Sequence, residues 1–474
     1  MEREDIVMFI NTCFAATNQN EFYNNGIQES VSVRFLHEYV LSNYRTVYAR
    51  SLAAGINHFN QALIVFNLLA SGAPNNLALR QEENELIGVA LRKLPANRAF
   101  ALLQKLATEK VNNRRARAVC AHYLKNRREP AFDAVKYRRQ YRSAVRHAHI
   151  NVGKGFADFL FDYKNQTSFT IELFEDFRQA HYSKSAIYRL PYSIAEPFSV
   201  KHGIKRDEFL KKIEPKMTRT ERLRLQQSSV RASKSDTPIK FNPATASLTR
   251  LCIYCVSLPY AERVERAEEL HTMLGESAAR FARGHATGLP ATAMVLDSSR
   301  SSRGSRDKAN RPLAVSVALS YLVQALSTTA TEFWTPNLNA SESMRQFPFL
   351  RKAEGQTDLA TPVINALETL PELLIIVSDG WENDPPQTVG NVIDVARAKL
   401  RGVNDINIVH VNPVFDPDHF SPRPLSKTVP TVGLRDAEDL TTMINFAGFA
   451  SGKKALPELE AYLLDRSGSM RGNT

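Results

Sequence analysis

The chain has 474 residues, of which 43% are hydrophobic, and it carries a formal net charge of +12 at pH 7. This length is enough for roughly two to four domains with sizeable apolar cores. No apolar run is long enough to span a bilayer, which excludes membrane insertion, and the basic excess points to a polyanionic partner such as nucleic acid or an anionic surface.

Cysteine content and the first residues indicate a cytoplasmic protein. Four cysteines do not form a disulfide framework in a chain of this size, and the acidic start lacks the basic segment and cleavage site of a signal peptide. Cys252 and Cys255 form a C-x-x-C motif in apolar, helical surroundings, without a second cysteine pair or a histidine pair at zinc spacing nearby. We therefore expect core packing there rather than metal or redox chemistry.

Residues 1–286 are predicted to be mostly helical, because apolar residues recur there at spacings of three and four. Gly72 and Pro74 break the chain after one helix. Pro95 separates two short helices of the kind that builds an α-solenoid. No clean repeat period is present, so a repeat array stays a hypothesis.

A dense basic stretch runs from Lys105 to Lys154, with only three acidic residues and with tyrosines interleaved among the arginines. Guanidinium groups bind phosphates, and tyrosine and arginine planes stack on unpaired bases. We expect contact with nucleic acid, with RNA slightly preferred over DNA; an acidic protein surface and an anionic membrane are the competing partners. The candidate nucleic-acid-binding residues are Arg114, Arg115, Arg117, Lys125, Arg127, Arg128, Lys136, Arg138, Arg139, Arg142 and Arg146. A second basic stretch follows from Lys201 to Lys240, and residues 231–247 are predicted to be a surface loop or linker.

Strands alternate with helices in the remainder of the chain, which predicts a parallel sheet with right-handed crossovers. The predicted strands are 291–296, 331–335, 372–378 and 406–411, and the predicted helices are 312–328, 358–370, 388–400, 440–449 and 457–464.

Polar side chains that suit a hard metal ion follow two of these strands. Asp297, Ser299 and Ser301 come after the first strand, Asp379 follows the strand that ends near Val377, and Thr357 lies between them in the chain. Ligand sites gather at the carboxyl ends of strands in open α/β sheets. Carboxylates and hydroxyls suit Mg²⁺ above all here, with Mn²⁺ or Ca²⁺ as the other possibilities, and not zinc. Such a site without a base or nucleophile beside it is a binding site.

These five residues resemble the metal-ion-dependent adhesion site of the von Willebrand factor A domain. That family's pattern is D-x-S-x-S, a distant threonine in G-x-T-x-L and an aspartate in a D-G turn, and all five positions match in order. The resemblance implies a doubly wound sheet and a metal whose last coordination position takes a water or a partner's carboxylate. The expected fold class is therefore α + α/β, with a helical, repeat-like region over 1–286 and an A-domain-like region over 287–474.

The loop after Asp297 departs from the usual run of small residues because it carries five cations. Cations beside a divalent metal weaken its binding by repulsion. They also suit an anion such as a phosphate that ligates the same metal, and the residues leave both alternatives open. The five cations are Arg300, Arg303, Arg306, Lys308 and Arg311.

A second D-x-S-x-S motif lies near the end of the chain, at Asp465, Ser467 and Ser469. A predicted helix precedes it instead of a strand, and no threonine or second aspartate segment follows. We therefore expect it to lie in a loose tail after the final helix.

Motifs of common enzyme classes are absent from the sequence. There is no phosphate-binding G-x-x-x-x-G-K-[ST] loop, no H-E-x-x-H and no G-x-S-x-G. Asp297 and Asp379 stand beside hydroxyls and are better explained as metal ligands than as an acid and a base. We expect a protein that is not an enzyme.

The order of a basic helical region and a C-terminal A-domain resembles the Ro autoantigen family. Its members bind small structured noncoding RNAs and the ends of misfolded RNAs with a helical ring, the TROVE domain. The resemblance is architectural, and the helical region is shorter than that ring, so no RNA-contact residue is carried over. It implies a non-catalytic ribonucleoprotein component. The alternative is an adaptor that assembles with a MoxR-type AAA+ ATPase, or with another protein whose aspartate or glutamate completes the metal shell.

Overall fold

The chain folds into two compact units. One comprises Met1–Asn60 with Pro243–Thr474, and the other comprises Gln61–Asn242. This division differs from the boundary predicted between residues 286 and 287, because helices from both ends of the predicted helical region pack with the sheet. The computed structural model describes residues 3–23, 26–218, 221–222, 225, 246–284, 288–336, 341–386 and 388–472. Residues 231–245 of the predicted linker lie outside the described residues.

The described chain is mostly helical and contains a five-stranded parallel sheet, so it has the mixed α + α/β class. The α-helices are α1 (Arg3–Ala15), α2 (Gly26–Asn43), α3 (Arg45–Arg50), α4 (His58–Ala70), α5 (Leu77–Lys93), α6 (Ala96–Thr108), α7 (Arg114–Lys125), α8 (Pro130–Lys136), α9 (Arg138–Ala148), α10 (Lys154–Phe161), α11 (Glu172–Ala180), α12 (Tyr192–Lys201), α13 (Arg206–Ile213), α14 (Leu248–Ser257), α15 (Tyr260–Glu265), α16 (Ala267–Arg283), α17 (Arg311–Leu326), α18 (Glu342–Gln346), α19 (Ala360–Glu368), α20 (Thr388–Lys399), α21 (Leu440–Ala450) and α22 (Leu456–Gly472). The strands are β1 (Thr292–Leu296), β2 (Ala330–Trp334), β3 (Leu373–Val377), β4 (Asn407–Asn412) and β5 (Thr431–Gly433). No helix in the described ranges is both long and apolar enough to cross a membrane.

The helices α4, α5 and α6 are separated at the two breaks that the sequence predicts. α4 ends at Ala70, just before Gly72, whose φ of +78° favours glycine. Asn76 caps α5 by accepting the N–H of Leu79, and Pro95 immediately precedes α6. The predicted helix breaks at Gly72 and Pro95 are therefore confirmed.

The sheet has the strand order β2-β1-β3-β4-β5, and all neighbouring pairs are parallel. The chain leaves β1 toward β2 on one side and returns as β3 on the other side of β1. Neighbouring strands β1 and β3 therefore form a topological switch point, where ligand sites gather in open α/β sheets. Leu296 of β1 is in register with Val377 of β3, so the two strands end level with each other.

Helices cover both faces of the sheet, which explains why its central strands are apolar throughout. Alternate residues such as Ala293 and Val295 pack into one buried cluster with residues of α19 and α20. α17 lies on β1 and β2 and is itself packed against α14 and α16, so it is buried on almost all sides. Its apolar residues do not follow a single stripe because partners surround it.

The first helix closes the edge of the sheet at β5. The Asn11 side chain donates to the Thr431 carbonyl at 2.8 Å and accepts the Gly433 N–H at 2.9 Å. A Cβ at Gly433 would lie 2.6 Å from the Asn11 carbonyl oxygen, so this close approach requires glycine. The amino-terminal helix belongs to the sheet-containing unit for this reason.

The four predicted strands agree with β1 to β4 to within about two residues, whereas β5 was not predicted because it has only three residues. One expectation for the C-terminus is wrong. α22 runs on to Gly472, so the backbone of the second D-x-S-x-S motif is helical instead of forming a loose tail.

Candidate functional site

Asp297 and Asp379 lie at the switch point, beyond the ends of β1 and β3. The Asp297 N–H donates to the Val377 carbonyl at 3.0 Å, which continues the β1–β3 pairing by one residue. Thr335, which follows β2, donates its N–H to the Leu296 carbonyl at 3.1 Å. Three strand ends therefore meet at one edge of the sheet and carry the polar residues of the candidate site.

Asp297 is only 2% exposed. Its carboxylate accepts one short hydrogen bond and faces two hydroxyl groups at longer distances. Its Oδ1 accepts the Ser299 N–H at 2.7 Å and faces the Thr335 hydroxyl at 3.5 Å. Its Oδ2 faces the Ser378 hydroxyl at 3.4 Å. The Ser299 and Ser301 hydroxyls are 3.2 Å apart and are also buried. Two carboxylates and several hydroxyls thus share one pocket of oxygen atoms.

Burial raises the proton affinity of both carboxylates. Burial, followed by the charge of Asp379, raises the pKa of Asp297 to about 7. Burial also raises the pKa of Asp379, against hydrogen bonds from Ser301 and the Trp381 N–H. Like charges in a buried space destabilise the ionised pair, and a bound divalent cation would offset that repulsion.

The threonine of the predicted set lies on a loop that is fastened to the rest of the site. The Thr357 N–H donates to the Asn383 side chain at 2.7 Å, just after Asp379 in the chain. Backbone bonds from Glu354 to Ser298 and from Arg300 to Gly355 join the loop to the one that follows β1. The structure therefore brings the loops of all five predicted metal ligands to one edge of the sheet.

The D-G turn after β3 has a steric reason for its glycine. Gly380 has a φ of +80°, and a Cβ there would lie 2.6 Å from the Arg423 carbonyl oxygen. Arg423 in turn places its guanidinium 3.7 Å from the centroid of the Trp381 ring and is bonded to Asp416. The Trp381 ring, two residues after Asp379, therefore makes a cation–π contact with Arg423.

Several cations of the loop after Asp297 point to other acceptors. Lys308 forms a buried ion pair with Glu21. Arg311 donates to Asp436 at 2.7 Å, and Arg303 donates to the Ala353 carbonyl at 3.1 Å. Arg300 and Arg306 are exposed. Repulsion of a metal by this loop is therefore reduced, because the charges of Lys308 and Arg311 are paired with carboxylates.

Sequence reasoning gave no indication that Tyr23 belongs to this neighbourhood. Its ring lies 4.9 Å from that of Trp381, centroid to centroid. Burial and then the charge of Asp379 raise the pKa of Tyr23, while a hydrogen bond with Ser301 opposes them. Tyr23 is 278 residues from Ser301 in the chain (301 − 23), and no motif or periodicity connects the two.

The set of donors fits a hard divalent cation. Among the residues that the structure describes, no group of three or more histidine, cysteine, aspartate or glutamate side chains could hold a metal. A metal at the switch point would thus depend on the hydroxyls of Ser299, Ser301 and Thr357 as well as on the two carboxylates. Such oxygen donors suit Mg²⁺ or Mn²⁺, which commonly keep some water ligands.

Several other residues of the sheet-containing unit have structural roles. His410 is fully buried, its Nε2 donates to the Ser378 carbonyl at 3.2 Å, and burial lowers its pKa to about 3. Glu382 accepts the Val389 N–H at the start of α20. Cys252 and Cys255 are both buried, unbridged thiols on α14, which confirms that they belong to the core.

The second unit contains a basic cleft of about 530 Å³ between α6 and α9. Arg139, Arg142 and Arg146 line it from α9 and are all exposed. The nine described residues that line the cleft include no carboxylate; they are Gln104, Ala107, Asn112, Arg139, Arg142, Ser143, Arg146, His147 and His149. The cleft therefore concentrates positive charge beside amide, hydroxyl and imidazole groups, which suits an oxyanion.

Two groups that line or adjoin the cleft have further contacts. Burial, helped by the charges of His149 and Arg117, lowers the pKa of His147, whose Nε2 is buried without a hydrogen-bond partner. The Arg146 guanidinium lies 5.1 Å from the centroid of the Phe161 ring, which is partly exposed. An aromatic surface therefore lies next to the cationic one.

Other predicted nucleic-acid residues are engaged within the protein. Arg115 is paired with Glu83 at 2.9 Å, and Arg127 is paired with the buried carboxylate of Asp133 at 2.5 Å. Arg138 donates to the Phe159 carbonyl at 2.7 Å, and Lys136 donates to the Ser193 carbonyl. Arg117 is half-buried near His147, and the exposed remainder outside the cleft is Arg114, Lys125 and Arg128.

Comparison of the chain with protein-family models and with curated proteins gives no match. The chemistry of these side chains and the resemblance of the metal-site motif are therefore what indicate a function.

Proposed function

We propose that this protein is a non-catalytic, cytoplasmic RNA-binding protein of the Ro-like type, which binds small structured or misfolded noncoding RNA. The observation that carries the proposal is the row of Arg139, Arg142 and Arg146 along one cleft. Three exposed guanidiniums in a cleft whose described lining includes no carboxylate suit consecutive phosphates. An RNA strand supplies such phosphates in a regular row.

The spacing of the three arginines fits a nucleic-acid backbone. They stand at positions i, i+3 and i+7 of α9, which places them on one helix face. At 1.5 Å per residue, Arg139 and Arg146 are separated by roughly 10 Å along the helix axis. That distance corresponds to about three steps along one strand, at about 3.4 Å of rise each.

Unpaired bases suit the cleft better than a closed duplex. Phe161 presents a partly exposed ring beside Arg146, and aromatic and guanidinium planes both stack on splayed bases. Duplex RNA offers its phosphates but hides its base faces. We therefore expect the ligand to present a loop, bulge or end to this cleft.

A triple alanine variant of Arg139, Arg142 and Arg146 tests the proposal. We expect it to weaken binding of a fluorescent single-stranded RNA strongly at low salt. It should also lower the slope of log K against log salt by roughly 2, because each lost phosphate contact removes about 0.7. Fluorescence anisotropy over a series of salt concentrations measures both quantities.

The matched control removes the same number of charges outside the cleft, at the exposed residues Arg92, Arg98 and Lys205. Its slope should stay within about 1 of the wild-type value, because non-specific attraction falls only slightly when charge is removed elsewhere. Equal loss in both triple variants would mean that overall charge, and not the cleft, binds the RNA.

The switch-point site supports a second part of the same proposal. Mg²⁺, or Mn²⁺ or Ca²⁺, would be held there by Asp297, Ser299, Ser301, Thr357 and Asp379. Its remaining coordination position would take a water or a carboxylate from a protein partner. The metal would supply a fixed positive charge for that partner to bind.

An adaptor that assembles with a MoxR-type AAA+ ATPase, or with another acidic protein, is the second candidate function. The observation in its favour is the rim of the switch-point site, where the Arg423 cation lies beside Asp379 and on Trp381. Retention of a protein from a cell extract that requires Mg²⁺ and is lost in Asp379→Asn would favour the adaptor. If no protein is retained in an Mg²⁺-dependent way and specific RNAs are recovered, RNA binding is favoured instead.

A further inference from the structure

The segment Asn18–Tyr23, here called the strap, is fastened to the loop that carries the serines of the switch-point site. The Asn20 backbone N–H and side chain both bond to the Asp307 carboxylate, at 3.3 Å and 2.9 Å, and the Ser305 hydroxyl donates to the Asn20 carbonyl. Glu21 forms the buried ion pair with Lys308. Four contacts therefore join the strap to three residues of one loop, Ser305, Asp307 and Lys308.

The strap is held from its other side as well. The Asn20 side chain accepts the Gly26 N–H at 2.9 Å, and the Glu29 carboxylate of α2 accepts the Asn18 N–H at 2.6 Å. The strap thus has a defined conformation set by the start of α2. Its attachment to the loop after Asp297 therefore depends on several contacts and not on a single one.

The strap places Tyr23 at the boundary between the site and solvent. Tyr23 is 48% exposed, whereas Asp297, Ser299, Ser301 and Asp379 are each no more than 7% exposed. Its ring packs on Trp381, two residues after Asp379 in the chain.

We propose that Tyr23 is a further residue of this binding site, and that the strap places it where a ligand from another molecule must approach a metal held by Asp297 and Asp379. This inference rests on the proposed metal site. The phenol limits access to the open coordination position, so a partner's carboxylate has to displace Tyr23 or bind beside it. Small ligands such as water and acetate are favoured over bulky acidic groups while the strap is in place.

Manganese provides a direct test, because water-proton relaxation reports how many exchanging waters reach bound Mn²⁺. Tyr23→Ala should raise the relaxivity per bound Mn²⁺. It should also tighten the binding of acetate to the Mn²⁺-loaded protein by roughly fivefold, because acetate no longer competes with the Tyr23 side chain for the same space. Tyr23→Phe, which keeps the ring and loses the hydroxyl, should give an intermediate relaxivity.

Two further variants separate the strap from the ring. Asn20→Ala weakens the strap's attachment to Asp307 without altering the site, and it should change relaxivity in the same direction as Tyr23→Ala. Tyr182→Ala is the matched control, because it removes an 80% exposed tyrosine from the other unit. It should leave Mn²⁺ relaxivity and acetate binding unchanged.

The outcomes distinguish the strap from the metal site. If Mn²⁺ binds and Asp379→Asn abolishes that binding, yet Tyr23→Ala changes neither relaxivity nor acetate affinity, the role of Tyr23 is refuted and the metal site stands. If the full-length wild-type protein does not bind Mn²⁺ at all, the proposed metal site is refuted and the role of Tyr23 falls with it.

Discussion

At the scale of single residues, Asp297 is the one on which the proposed metal site depends most. With Mg²⁺ at roughly 100 times its Kd, the wild-type protein should gain about 2.7 kcal/mol of folding free energy. Asp297→Asn removes a charged ligand and should show no such gain. Differential scanning fluorimetry with EDTA or Mg²⁺ measures the difference, and an equal gain in both proteins would contradict the assigned ligand set.

The same carboxylate predicts an unusual pH dependence in the metal-free protein. The pKa of Asp297 rises from 3.8 to about 7 on folding, because burial and Asp379 disfavour its ionised form. A raised pKa of an acid stabilises the folded state below the unfolded-state value, and this stabilisation is lost as the pH rises from about 4 to about 7. In EDTA at pH 8, Asp297→Asn should therefore be at least as stable as the wild type.

The sequence predicted that Asp297 and Asp379 lie at one edge of the sheet, but it did not predict all of the residues around them. Asp297 and Asp379 follow apolar runs, so parallel pairing of β1 and β3 was enough to bring them together. Thr335 also follows a strand, β2, but the predicted strand 331–335 includes it, so it was not predicted as a site residue. Tyr23 had none, because its place depends on ion pairs and hydrogen bonds between distant loops that no periodicity encodes.

At the scale of elements, the docking of α1 on β5 holds the amino-terminal helix in the sheet-containing unit. Asn11→Ala would leave the Thr431 carbonyl and the Gly433 N–H buried without their partner. We expect a loss of about 2–4 kcal/mol in the free energy of unfolding. Urea unfolding followed by tryptophan fluorescence measures it in this unit, which contains both tryptophans of the chain, Trp334 and Trp381.

Asn43→Ala is the control for this prediction, because Asn43 is exposed and bonds only within its own helix region, to the Tyr39 carbonyl. Its effect should be under about 0.5 kcal/mol. A loss below about 1 kcal/mol for Asn11→Ala would mean that α1 is held by its apolar face alone.

Periodicity predicted helices well but did not predict which helices pack together. Apolar spacing identified α4, α5 and α6, and glycine and proline identified their ends. The pairing of α1 with β5 includes the hydrogen bonds of buried Asn11 and its close approach to Gly433, which apolar periodicity does not indicate. Likewise, the density of arginines indicated a basic region, but only the fold separates Arg139, Arg142 and Arg146 from the internally bonded Arg115 and Arg127.

At the scale of the whole molecule, the two units carry different chemistry. The sheet-containing unit has buried carboxylates and hydroxyls at its switch point, and the helical unit has a cleft whose described lining includes exposed guanidiniums and no carboxylate. An oxygen-rich site attracts cations and a guanidinium cleft attracts phosphates. In the proposed function, one unit therefore binds RNA while the other binds a metal and through it a protein partner.

Crosslinking the protein to RNA in cells, followed by sequencing of the bound RNA after washes at two salt concentrations, tests the proposed function most directly. The wild-type protein should recover a narrow set of structured small RNAs that survives the higher salt. The triple alanine variant of Arg139, Arg142 and Arg146 should lose that set. Recovery of no RNA, or only of bulk RNA that the higher salt removes, would contradict RNA binding as the function.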